Sequence, residues 1–216
     1  MVIHFLLIGT LGMITISSES AVLANLEKRL QAIQTLEANF IQIYRSASTE
    51  RGYEEKGHLY LKRPDQMRWD YLEPEKKTFL FKGNTLHSYF YEDKQVIRQA
   101  LAEETIKESI LGLLTGKIKI QDLYSAKIIS SDIKGQGIIL ELTPCQEQEI
   151  ICLHLEVDPR KWLIRRLIFF ESTGSRQEFF FSHYKLNPQF PLKIFEIPIP
   201  PDWEIIDSQS LHKIRF

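Results

Sequence analysis

Hydrophobic and polar residues alternate over most of the chain, the pattern of strands that bury one face. Such runs begin at residue 35 and are separated by short turns as far as residue 100, and further runs lie between residues 126 and 185. The spacing predicts about ten or eleven strands in an antiparallel meander. The proline-rich stretch from Asn187 onwards cannot lie in the middle of a sheet, although Leu192–Ile197 is compatible with an edge strand.

Helical spacing replaces this alternation in two places. Apolar residues recur every three or four positions from Ala21 to Gln34 and from Glu103 to Leu114, which predicts two amphipathic helices. Ile118–Tyr124 is compatible with a short helix or an irregular strand. So many antiparallel strands curl or split into layers, and the helices must bury their apolar sides. The pattern predicts a mainly β fold with helices (α+β): an unclosed antiparallel β-barrel with a helical lid over an apolar space.

One predicted strand carries a charge in an apolar row. Leu59, Leu61 and Arg63 share one face of it, because neighbouring side chains on a strand point to opposite faces. Pro64 ends the strand, since it cannot donate to a ladder. If the shared face is the inner one, Arg63 needs hydrogen-bonding partners. Backbone carbonyls at the ends of the Glu103–Leu114 helix and its neighbours are candidates.

The amino-terminal residues differ in character from the rest. Phe5–Ile16 is an almost purely apolar run, too short to span a bilayer and typical of the core of a signal peptide. Small residues follow and fit cleavage after Ser20, or as late as Ala24. We therefore expect residues 1–20 to be a signal peptide and residues 21–216 to form one exported, soluble domain. A retained membrane anchor or a buried first strand is the alternative.

Composition and motifs narrow the function. The formal net charge of −1 favours neither nucleic acid nor an anionic membrane surface as a partner. The sequence has no Gly-rich phosphate loop, nucleophile elbow or His-Glu zinc pattern, so we expect no enzyme, no cofactor and no metal. Thirteen Phe, eight Tyr and three Trp are more than one covered face of a thin sheet needs. A lined apolar cavity would account for them.

Two cysteines, Cys145 and Cys152, bracket a short polar stretch between two predicted strands. In an oxidising compartment a disulfide across this hairpin is one interpretation, and two free thiols are the other. A metal site is not favoured, because no His or carboxylate pair stands at ligand spacing beside the cysteines.

Several motifs resemble those of a known family. The sequences Gly-His-Leu-Tyr-Leu-Lys-Arg-Pro at 57–64 and Arg-Trp-Asp-Tyr at 68–71 resemble the signature of the periplasmic outer-membrane lipoprotein carrier family, LolA. Phe40–Gln42 and Gly83–Leu86 are similar too, and the resemblance extends from about Leu26 to Asp207.

This resemblance implies a carrier of triacylated lipoproteins in the periplasm of a Gram-negative envelope. Such a carrier takes acyl chains from an inner-membrane ABC lipoprotein-release complex and delivers them to a LolB-like outer-membrane receptor; we expect a monomer. The resemblance also implies that Arg63 latches the closed lid through backbone carbonyls, that Trp69 lies in the cavity wall and that Met67 lies near the entrance. The residues expected to line the cavity are Phe40, Leu59, Leu61, Met67, Trp69, Phe79, Phe81, Leu86, Tyr89, Ile106, Ile110, Leu111 and Leu114.

Two features depart from the family pattern and leave the cargo open. His87 stands where the family has an aromatic residue, and the hairpin with Cys145 and Cys152 has no match. The alternatives are another lipid or glycolipid carrier, or an envelope-stress sensor domain, on the same scaffold. A structural or interaction protein with a filled core is a further alternative, from a different class.

Overall fold

The computed structural model describes residues 18–48, 52–107, 109–116, 118–132, 137–147, 149–191 and 193–208. The predicted signal peptide, residues 1–20, lies outside this part of the chain except for its last three residues, which belong to the first helix.

In the described part of the chain, strands make up most of the secondary structure, and four short helices accompany them. The helices are α1 (Ser18–Ala32), α2 (Glu103–Lys107), α3 (Ile110–Thr115) and α4 (Ile120–Leu123). The strands are β1 (Thr35–Arg45), β2 (Tyr53–Lys62), β3 (Gln66–Glu73), β4 (Lys77–Lys82), β5 (Thr85–Phe90), β6 (Gln95–Ala100), β7 (Tyr124–Asp132), β8 (Gly137–Pro144), β9 (Ile150–Val157), β10 (Ile164–Glu171), β11 (Arg176–Leu186) and β12 (Glu204–Ser208).

These twelve strands form one curved sheet in the order β12-β6-β5-β4-β3-β2-β1-β11-β10-β9-β8-β7. The ten pairs from β6 to β7 are antiparallel, whereas β12 runs parallel to β6. Within the described ranges no ladder joins β12 to β7, so the sheet stays open. The predicted unclosed barrel with a helical lid is confirmed.

Alternation along many of the strands, most clearly β1, β2 and β3, gives the sheet an inner face, which bears the main core. On β1, for example, Leu36, Ala38 and Phe40 are buried and their neighbours are less so. Apolar side chains of all four helices join this core, so the helices cover the inner face. Two carboxylates fix α1 in place. Glu27 accepts a hydrogen bond from the backbone N–H at the start of α4, and Glu19 accepts one from β7.

A second, smaller core lies on the outer face of the sheet. Leu80, Tyr89 and Val96 are buried there against Phe195, which comes from the proline-rich segment after β11. The Arg68 Nη1 donates to a carbonyl of this segment, at Ile194, over 2.7 Å. This segment carries the chain across the outer face and brings β12 to the edge of β6.

The structure corrects two of the predicted elements and decides between the alternatives for a third. The helix predicted over Glu103–Leu114 is broken into α2 and α3, because the side chain of Ser109 caps a new helix by accepting from the Leu111 N–H. Of the edge strand predicted over 192–197, the described residues 193–197 form turns and irregular backbone. The edge strand beside β6 is β12 instead, and its parallel pairing was not predicted. Ile118–Tyr124 contains the short helix α4.

Candidate functional site

Arg63 lies at the meeting point of the sheet and two helices. It follows β2 directly, and its side chain points to the inner face that Leu59 and Leu61 also occupy. Its Nε donates to the carbonyl oxygen of Ile33 over 2.7 Å, and its Nη2 donates to that of Leu30 over 2.7 Å. The same Nη2 lies 3.3 Å from the carbonyl oxygen of Leu114. One guanidinium group therefore connects β2 to α1 and to α3.

All three acceptors stand at helix carboxyl ends. The last four carbonyls of a helix have no partner within that helix, and the helix dipole places partial negative charge there. Leu30 lies in the last turn of α1 and Ile33 directly follows that helix, whereas Leu114 lies in the last turn of α3. Partial burial lowers the pKa of Arg63 from its ordinary value. Hydrogen bonds to the three carbonyls replace those that the charged group would otherwise form with water.

Gly116 closes the contact from the side of α3. It has a left-handed backbone conformation with φ of 63°, and its N–H donates to the Leu113 carbonyl. A Cβ at this position would stand 2.6 Å from Nη1 of Arg63. Glycine is therefore required here for two reasons: the positive φ and the close approach of the guanidinium group.

An aromatic cluster lies deeper on the inner face. The fully buried ring of Trp69 contacts Phe40, Phe179 and Phe181, with ring centroids 4.9, 5.5 and 6.1 Å away. These residues come from β1, β3 and β11, the middle strands of the sheet. Edge-on contacts between such rings pack densely and leave a dry, apolar surface.

The helices seal this surface. Ile106, Ile110, Leu111 and Leu114 of α2 and α3 are all buried in the main core. Beside Arg63 a cavity of about 20 Å³ remains, lined mostly by leucine and isoleucine side chains from α1, β1, β2 and α3. That volume holds about one water molecule. An acyl chain can therefore enter at this place only if the helices move away from the sheet.

Twelve of the thirteen residues predicted to line a cavity lie together in the main core. Tyr89 is the exception: it lies in the outer-face cluster, where its hydroxyl donates to the Ile197 carbonyl. The placement of Tyr89 in the cavity was wrong, because Tyr89 is an odd number of positions from Leu86 on the same strand. His87 also lies on the outer face, stacked on Tyr89 with ring centroids 6.4 Å apart, so it does not line the cavity.

Six residues that line the small cavity beside Arg63 were not predicted to do so, and three of them lie far from Arg63 in the chain. Leu163, Ile164 and Tyr184 line the small cavity, and the Tyr184 hydroxyl donates to the Ile164 carbonyl. They come from β10, β11 and the turn before β10, far from Arg63 in the chain. Alternation did indicate strands there, but the sequence does not say which strands lie beside Arg63.

Cys145 and Cys152 are both free thiols in the structure. Leu142 pairs with Leu153 at the end of the ladder, and continuing this register beyond it would place Cys152 opposite Thr143, not opposite Cys145. Diagonal neighbours of this kind are roughly 7–8 Å apart, beyond the usual Cα separation across a disulfide. Burial and the charge of Glu141 raise the pKa of the Cys152 thiol, whereas a reactive cysteine has a lowered pKa.

Comparison with known proteins assigns the chain to a family. The family described as outer membrane lipoprotein carrier protein LolA matches residues 31–198, which include Arg63, the aromatic cluster and the helices α2, α3 and α4. The chain belongs to the LolA family. A relative from Pseudomonas paraeruginosa, named outer-membrane lipoprotein carrier protein, is 27% identical over 193 residues, which span 89% of this chain and 90% of that protein.

Solved structures show the same fold at low sequence identity. An uncharacterised conserved protein from Thermus thermophilus is 12% identical, with a TM-score of 0.58 over 88% of this chain and 98% of that chain. MucB is 13% identical, with a TM-score of 0.51 over 83% of this chain and 62% of that chain. The LolA-type fold thus occurs in proteins with different names, and a fold alone does not specify a function. None of the helices seen in the structure is both long and apolar enough to cross a membrane.

Proposed function

We propose that this protein is a periplasmic carrier that holds the acyl chains of triacylated lipoproteins between the sheet and the helices. In this proposal an inner-membrane ABC release complex loads it, and a LolB-like outer-membrane receptor unloads it. The observation that carries the proposal is Arg63, which ties the ends of α1 and α3 to the sheet above an apolar surface. Membership of the LolA family supports the lipoprotein cargo.

The energies suit reversible binding. An acyl chain gains about 0.8 kcal/mol for each methylene that leaves water, so a carrier must keep its cargo dry. A hydrogen bond to a charged group contributes about 1.5–3 kcal/mol, so three such bonds bias the helices towards closure without locking them. Cargo shifts this equilibrium because it binds only the open form. Reformation of the Arg63 contacts then favours release at the receptor.

The substitution Arg63→Leu tests this role. Leucine keeps the apolar volume but forms none of the three hydrogen bonds, so the closed form loses stability relative to the open, loaded form. We expect the variant to accept lipoprotein from the release complex but to retain it when the receptor is added. The measurement is the fraction of radiolabelled lipoprotein that moves from purified carrier to purified receptor.

Arg68→Leu is the matched control. Arg68 also donates to a backbone carbonyl over 2.7 Å, but on the outer face of the adjacent strand β3. It should deliver cargo like the unmodified protein. Prompt delivery by Arg63→Leu, or equal retention by both variants, would contradict a latch at Arg63.

The apolar lining itself does not select lipoprotein over another acylated lipid. If the protein instead carries phospholipid or glycolipid, such lipids should bind to it, and Arg63→Leu should retain them as well. Competition between purified triacylated lipoprotein and phospholipid for the same carrier separates these possibilities.

A further inference from the structure

Three potential metal ligands meet on the outer face of the β8–β9 hairpin. Glu141 of β8 stands directly opposite His154 of β9 in the antiparallel register. Cys152 precedes His154 by two positions and therefore points to the same face. Their buried neighbours Leu142 and Leu153 point to the inner face. The three ligands thus lie on the side of the sheet away from the acyl-binding surface.

The ligand atoms are close enough to share one ion. One ligand atom from each residue lies within 4.8 Å of the other two. Nε2 of His154 is 3.4 Å from Oε2 of Glu141. In tetrahedral coordination with bonds of about 2.0–2.1 Å, a nitrogen and an oxygen ligand stand roughly 3.4 Å apart. The imidazole and the carboxylate already have this spacing, and the thiol, which lies within 4.8 Å of both, needs to approach by no more than about 1 Å.

The surroundings favour a defined site over a loose surface ion pair. All three residues are half-buried on strands in the interior of the sheet. The ring of His154 packs edge-on against Phe170, with centroids 4.7 Å apart, which restricts its orientation. A His–Glu ion pair explains two of the three groups but leaves the thiol beside them unexplained.

We propose that Glu141, Cys152 and His154 bind Zn²⁺. A thiolate and an imidazole select zinc over magnesium or calcium, which prefer oxygen ligands. Three protein ligands leave a fourth position for water. Binding displaces the thiol proton to solvent, because a coordinated thiol is held as the thiolate. The ion would cross-link β8 to β9 and stabilise this half of the sheet, independently of Arg63 and of any cargo.

Co²⁺ in place of Zn²⁺ provides the first test, on the full protein kept under a reducing agent that does not bind metals. Thiolate coordination gives a sulfur-to-cobalt charge-transfer band in the near ultraviolet. We expect this band, saturating at one equivalent, in the unmodified protein and in Cys145→Ser. It should be lost in Cys152→Ser, and His154→Ala should bind at least tenfold more weakly. Absence of the band, its survival in Cys152→Ser or its loss in Cys145→Ser would overturn the proposal.

A second measurement needs no variant, because Cys145 serves as an internal control. Iodoacetamide labelling of the reduced protein is followed by peptide mass spectrometry with and without Zn²⁺. We expect Zn²⁺ to slow the labelling of Cys152 at least tenfold, to leave Cys145 unchanged, and to lose its effect when EDTA is added. Equal labelling of Cys152 in both conditions, or equal protection of both cysteines, would rule the site out.

Discussion

Gly116 offers a way to disturb the Arg63 contact without replacing Arg63. A Cβ at Gly116 would lie 2.6 Å from Nη1 and 3.1 Å from Nη2 of the arginine. Gly116→Ala must therefore displace the guanidinium group, the flexible end of the pair. We expect the hydrogen bond to Leu114 to be lost first, because at 3.3 Å it is the longest of the three and Leu114 is close to Gly116 in the chain.

Two contributions determine the free energy by which Gly116→Ala favours opening of α2 and α3. Loss of one hydrogen bond to a charged group costs about 1.5–3 kcal/mol. An alanine in the left-handed region costs roughly 1–2 kcal/mol more. Gly83 provides a control for the second contribution, because its φ is 68° and a Cβ there would meet nothing within 4 Å. The contact with Arg63 alone should shift the opening equilibrium of α2 and α3 roughly 10- to 100-fold.

Amide hydrogen exchange measures this opening directly. In Gly116→Ala the amides of α3 should exchange faster through both effects, and the part of the acceleration that depends on Arg63 should be roughly 10- to 100-fold, whereas the amides of β3 should change much less. Gly83→Ala should leave α3 unchanged. Because Gly116 also caps α3, the same substitution is repeated in an Arg63→Leu background, where only the backbone strain remains. Equal acceleration of α3 with and without Arg63 would refute the contact as the cause.

Two further predictions concern stability. Nζ of Lys77 lies 2.6 Å from Oε1 of the buried Glu55. Lys77→Met should lower the free energy of unfolding in urea by about 3–5 kcal/mol, and Glu55→Leu in the same chain should recover most of it. A loss of about 1 kcal/mol or less, as for an exposed pair, would contradict this. At Asp158 burial raises the pKa, but the backbone N–H groups of Arg160 and the next residue, with the Arg165 side chain, outweigh it and hold the pKa below its usual value. The stabilisation is present above the pKa of the unfolded state and is lost as the pH falls through the lower pKa of the folded state. Asp158→Asn should therefore reduce the free energy of unfolding at pH 7 and weaken the loss of stability below about pH 4. An unchanged loss of stability in acid would contradict this.

Arg63 could be singled out from the sequence because its signal is local. A permanent charge in line with Leu59 and Leu61 can be recognised without knowledge of the fold. Its partners could be named only in part, since a backbone carbonyl has no signature in the sequence. The end of Glu103–Leu114 was among the predicted acceptors, whereas two of the three hydrogen bonds go to α1.

Other differences arise from contacts between distant parts of the chain. β12 pairs with β6 because the proline-rich segment crosses the outer face, and the alternation of apolar and polar residues does not indicate that route. The ligand cluster was missed for a similar reason. Cys152 and His154 stand two apart on one strand, but Glu141 joins them only through the register of the β8–β9 ladder.

Tyr89 differs from these cases, because the sequence alone is enough to predict the face of the sheet on which it lies. Leu86 and Tyr89 are three positions apart on one strand, so alternation alone puts them on opposite faces. The aromatic character of Tyr89 outweighed its position in the prediction.

The identity of the bound molecule tests the central claim most directly. The protein is isolated from the envelope of its own cells without detergent, and the molecules that remain bound are identified by mass spectrometry. Arg63→Leu is isolated in parallel, because it should retain more cargo than the unmodified protein. A triacylated lipoprotein bound to the protein, and enriched on Arg63→Leu, is the result that we predict. Phospholipid alone, or no acylated molecule on either protein, would contradict a lipoprotein carrier.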